Sequence, residues 1–132
     1  MSFSPMYFLL QQEGFITRSC ITTGLTEIRN AHIGEKGKYY TAFFQLAIGI
    51  ERMAKLSLIL DHMATNNLQP PGENTVRKYS HNIDGLYASA QKIAEREQCA
   101  FSTKFELSPI QSRILSFLSE FARSTRYANL DD

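Results

Sequence analysis

Apolar and polar positions alternate along the chain with the period of helices, in four blocks separated by clear breaks. Ser4-Pro5 puts a cap residue before a proline at the first helical position. From there to Ala31 the apolar positions Phe8, Phe15, Cys20, Leu25 and Ile28 recur at helical spacing. Gly14 and Gly24 weaken this block by about 1 kcal/mol each relative to Ala, which predicts a break or kink near one of them. Gly34 to Lys38 reads as a turn.

Tyr39 to about Ala64 is the strongest pattern. Phe43, Leu46, Ala47, Ile50, Met53 and Ala54 form one stripe, and Phe44, Ile48, Leu58 and Ile59 widen it. The first half is apolar almost all round, so this helix is expected at the centre, with Gly49 where a neighbour approaches closely. Glu51 and Lys55 form a favourable i, i+4 pair. Asn66 to Gly72, with two prolines, ends it, and a turn or helical stub follows through Tyr79. A third main helix carries Ile83, Leu86, Tyr87, Ala90, Ile93 and Ala94, with Ser80 as its expected cap. Cys99 to Leu107 reads as a loop. Ser108-Pro109-Ile110-Gln111 is a capping box with proline at the first helical position, opening a fourth helix to about Tyr127. Its expected buried face is Ile110, Ile114, Phe117, Leu118 and Phe121. With no strand pattern and no repeat, the fold class is all-α: one domain over 1–132, an up-and-down bundle of four main helices.

Composition narrows the function classes. Of 132 residues 43% are apolar, with nine Phe and six Tyr, which supplies a core and argues against disorder. Fourteen Lys and Arg against thirteen Asp and Glu leave a formal charge of +1. That excludes a strongly basic nucleic-acid coat protein, though not a local basic patch. Cys20 and Cys99 lie in no metal-ligand spacing and read as reduced, buried thiols of a cytoplasmic protein. The N-terminus lacks the basic and small-residue marks of a signal peptide, and charges at Glu51, Arg52, Lys55 and Asp61 argue against a membrane span. The end, Leu130-Asp131-Asp132, has no stop signal and leaves a C-terminal continuation open.

Catalytic signatures are mostly missing. There is no phosphate loop, no H-E-x-x-H, no nucleophile elbow and no Glu-x-x-His pair for a di-iron site, so no metal or cofactor is expected. In an up-and-down bundle one pole collects His62, Arg77, Lys78, His81, Arg123, Arg126 and Tyr127. Cations at a helix N-terminus suit an anion, such as the phosphate of a nucleotide or RNA. The competing reading is structural: Arg123 and Arg126 neutralise the C-terminal dipole of the fourth helix, and Asp61, Asp84, Asp131 and Asp132 satisfy the rest.

Three segments carry a family resemblance. Tyr39 to Lys55 resembles the second-helix signature of HEPN-like (higher eukaryotes and prokaryotes nucleotide-binding) proteins. Ser80-His81-Asn82-Ile83 with Leu86 is similar to their Thr-His-Asp-Leu…Leu element, and Thr125-Arg126-Tyr127-Ala128-Asn129 to their Thr-Arg-Tyr-Pro-Asp element. The resemblance implies a helical, commonly homodimeric module in toxin–antitoxin or phage-defence systems. Some members are metal-independent endoribonucleases that use an Arg and a His a few residues apart. Others lack nuclease activity and partner nucleotidyltransferases or bind nucleotide. Here Arg77 and His81 stand too close for the nuclease motif, Arg52 and His62 too far apart, and no histidine follows Arg126. The expectation is a non-catalytic, dimerising HEPN-like module that takes nucleotide or RNA at the His81/Arg126 pole. The alternatives are an endoribonuclease with an incomplete Arg/His pair, and a plain helical protein-interaction domain.

Overall fold

A computed structural model describes residues 2–99 and 106–123. Every element among them is helical: α1 (Pro5–Asn30), a 3-10 turn (Ile33–Glu35), α2 (Gly37–Thr65), the short α3 (Glu73–Arg77), α4 (Ile83–Arg96) and α5 (Pro109–Arg123). Local signals account for most of the boundaries. The Ser4 hydroxyl accepts from the Tyr7 N–H to open α1. At α5 the Ser108 hydroxyl accepts from the Gln111 N–H while the Gln111 side chain accepts from the Ser108 N–H, a complete capping box. For α4 the cap is Asn82, whose side chain accepts from the Gly85 N–H, and not Ser80. Ser80 sits in the left-handed region at φ 48° and donates its N–H to the Arg77 carbonyl, so it closes the turn after α3.

Packing is organised around α2. On one side Ala47 joins Ile83, Leu118, Phe121 and Ala122 in the buried core, with Phe43, Phe44, Leu46, Ile50 and Leu115 against it. Phe121 meets Phe43 and Phe44 edge-on at ring separations of 5.7 and 5.3 Å. On the other side lies α1, whose main partner among the described helices is α2. Two glycines set that spacing. A Cβ on Gly49 would stand 2.6 Å from Ile21 Cγ1 and 3.2 Å from the Ile21 backbone nitrogen; one on Gly24 would stand 2.6 Å from Leu46 Cγ. Gly49 therefore has the close neighbour its position in an apolar helix implies. α1 runs unbroken through Gly14 and Gly24, because the tight contact at Gly24 holds it against α2.

The facing of the helices and the thiols adds detail and corrections. The inward side of α1 carries Met6, Leu10, Thr17, Ile21, Gly24 and Ile28, while Phe8, Phe15 and Leu25 face outward. On α5 only Leu118 and Phe121 of the expected face are buried, joined by Ser119 and Ala122; Ile110, Ile114 and Phe117 stay exposed because α5 meets the core only through its second half. Cys20 is half-buried and Cys99 exposed, so neither thiol is fully enclosed. The chain direction also departs from up-and-down alternation. His81, just before α4, bonds Glu51 in mid-α2, and Arg96, at the end of α4, pairs with Asp61 near the end of α2. Residues 66–82 thus return about half the length of α2 before α4 begins, and α4 runs beside α2 in the same direction.

Replacing Gly49 with Ala should destabilise the fold by about 1–3 kcal/mol through overpacking, whereas Gly14→Ala, with nothing within 4 Å of the added carbon, should stabilise it by about 0.5–1 kcal/mol. Phe121→Ala should cost about 3–5 kcal/mol. Urea unfolding followed by circular dichroism measures all three.

Candidate functional site

The polar centre of the molecule forms where α2 turns from apolar to charged. Glu51 lies one turn beyond Ala47 and beside Phe121 and Ala122, and its side chain is only 14% exposed. A carboxylate so enclosed needs partners. Its Oε1 accepts from Lys55 Nζ at 2.6 Å, and its Oε2 lies 3.0 Å from His81 Nδ1. The next residue, Arg52, reaches the other way and donates to Glu13 of α1 at 2.5 Å. Glu13, Glu51, Arg52 and Lys55 form one wall of a groove of about 490 Å³ between α1, α2 and α3, whose apolar walls include Met6, Leu10, Leu56, Ile59 and Val76.

The start of α4, where an anion was expected, is supplied from within. The Ser119 hydroxyl oxygen, fully buried on α5, accepts from the Ile83 N–H at 3.0 Å and the Asp84 N–H at 3.4 Å. Asn82 takes the Gly85 N–H. The donors that would cradle a phosphate are therefore already engaged. In addition, Ser116 donates to Asp84 at 3.3 Å, placing a carboxylate in the first turn of α4.

The expected pole residues are not brought together as one group. His81 is held by Glu51, and Arg123 is exposed at the end of α5. Arg77 is exposed and lies 3.8 Å from Glu73, while Lys78 stands 5.3 Å above the Tyr79 ring. His62 is separated from Glu51 by eleven positions of α2, about 16 Å, and so does not join His81. Arg126 and Tyr127 lie outside the described residues. Asp61 pairs with Arg96 and not with the pole.

Shifted ionisations mark surface ion pairs here. The hydrogen bond from Lys38 holds the Glu35 carboxyl below its ordinary value and Lys38 above its own; Arg96 is raised by its hydrogen bond to Asp61. All three groups are open to water and none lies in the groove, so they point to no catalytic centre. Among the described residues no group of three metal-ligating side chains exists, and no helix is long and apolar enough to cross a membrane. No family model, curated protein or solved structure matches the chain.

Sequence reasoning missed Ser119 and the Glu13–Arg52 pair. Ser119 had a legible signal, a hydroxyl among Leu118, Phe121 and Ala122 on the apolar side of α5. Glu13 had none, since its partner is thirty-nine residues away. Ser119→Ala leaves two N–H groups of α4 without an acceptor and should cost about 1–3 kcal/mol, with faster amide exchange at Ile83 and Asp84 as the local readout.

Proposed function

We propose that the chain is a non-catalytic, HEPN-like helical module that works by association, dimerising and docking on another protein. The resemblance supplies the setting, toxin–antitoxin or phage defence, and a nucleotidyltransferase as the kind of partner. The observation that carries this reading is how the side chains are divided. The polar groups around His81 engage one another, whereas Phe8, Phe15 and Leu25 on α1 and Ile110, Ile114 and Phe117 on α5 stay open to water. Exposed apolar surface in contiguous stripes favours contact with protein.

A second reading, nucleotide or RNA binding, draws on the cations that the sequence places around His81. In it an incoming phosphate competes with Glu51 for His81.

Light scattering over a range of concentrations should show a dimer; a strict monomer removes self-association. Single-stranded RNA incubated with the chain in EDTA should remain intact, and a metal-independent cut would instead support the ribonuclease alternative. If His81→Ala with Arg126→Ala leaves a fluorescence titration with RNA or nucleotide unchanged, the pole is not the binding site.

A further inference from the structure

We infer that the groove between α1, α2 and α3 is a binding site for a free α-amino acid with a large apolar side chain. The site does not depend on the association reading. The groove encloses about 490 Å³, within the range of about 300–1,000 Å³ usual for small-molecule sites. It is polarised along its length. On α1 the lining passes from Met6 and Leu10 to Glu13 within two helical turns, about 11 Å; on α2 it passes from Ile59 and Leu56 to Arg52 over the same distance. The helices run in opposite directions, with Glu13 against Arg52 and Ile21 against Gly49. The two apolar stretches therefore lie side by side at one end, and the charges gather at the other.

The charged end holds two ion pairs in different conditions. Glu51 is 14% exposed and both of its oxygens are engaged, one by Lys55 and one by His81. Glu13 and Arg52 are 44% and 40% exposed, and one contact joins them, from Arg52 Nη1 to Glu13 Oε2. Glu13 Oε1 and the other guanidinium N–H groups have no hydrogen-bond partner among the described residues. They set a free acceptor and a free donor fork next to each other at the head of an apolar channel. The remaining charged residue of the lining, Glu73, is 87% exposed and lies with Arg77.

This head selects a zwitterion. A lone carboxylate drawn to Arg52 competes with Glu13 and strips that residue of its counterion; a lone ammonium on Glu13 does the same to Arg52. An α-amino acid carries both charges on one carbon, as close together as Glu13 and Arg52 hold theirs at 2.5 Å. Its ammonium donates to Glu13 Oε1 and its carboxylate accepts from the free side of Arg52. Four alternating charges then close a ring, and the existing pair stays intact. The side chain lies along Leu10, Leu56 and Ile59 toward Val76, where a body the size of phenylalanine leaves water for hydrocarbon.

A titration with L-phenylalanine, followed through the methyl signals of the chain by NMR, tests the site. Saturable shifts should appear at Leu10, Leu56, Ile59 and Val76. Phenethylamine lacks the carboxylate and 3-phenylpropanoate lacks the ammonium, and each should bind at least about tenfold more weakly. Glu13→Gln should bring L-phenylalanine down to the level of 3-phenylpropanoate, and Arg52→Gln down to that of phenethylamine. Circular dichroism checks that both variants keep their helices, and the analogue series on the parent chain decides the question without them. L-Phenylalanine that leaves these methyls unshifted overturns the site. Equal binding of either single-charge analogue overturns the zwitterion. A negative result in this titration leaves the association reading standing, since light scattering tests that separately.

Discussion

How closely helices can approach α2 governs the rest of the molecule. Its buried positions are Ala42, Ala47, Gly49 and Ala54, residues with almost no side chain to hold a neighbour away. On one flank this lets α1 come near enough that Gly24 and Gly49 touch Leu46 and Ile21. On the other it leaves room for the large side chains of α4 and α5, so that Phe121, Ile83 and Leu86 are fully buried. Close-packed interiors gain from many small contacts and lose quickly when a gap opens. A central helix with thin sides and bulky partners is one way to satisfy that condition in a short chain.

The same geometry explains why polar side chains gather at Glu51. Past Ala47 the helix emerges from its aromatic surroundings and still has neighbours on both flanks. A charged residue here must find its counterpart across a helix interface. Glu51 finds His81 and Lys55, and Arg52 finds Glu13. These contacts tie the start of α4 and the first half of α1 to one turn of α2. Half-buried pairs of this kind fix orientation more than they add stability. They set where the groove lies and which helices line it.

Element identity was legible because it is written locally. The Ser108–Gln111 capping box, the proline-rich break after α2 and the apolar breadth of α2 need no knowledge of distant residues. Facing was less legible. α1 has large apolar residues on both sides, and periodicity alone favours the larger ones; the buried side is instead marked by Thr17 and Gly24, whose size permits contact. The parallel course of α2 and α4 was hidden too, since it depends on how far residues 66–82 travel back. The pole inferred from simple alternation therefore joined His62 to His81, while the fold brings His81 to Glu51.

Ser119 links two parts of the chain that are made at different times. The first turn of α4 is completed by a hydroxyl thirty-six residues later, so during synthesis α4 emerges with Asn82 as its only early cap. The α1–α2 pair closes earlier, because its contacts lie within the first half of the sequence. Until α5 leaves the ribosome, Phe43 and Phe44 lack their contacts with Phe121. Vectorial folding thus passes through a stage in which a finished hairpin waits, with Phe43 and Phe44 lacking Phe121, for α5 to arrive.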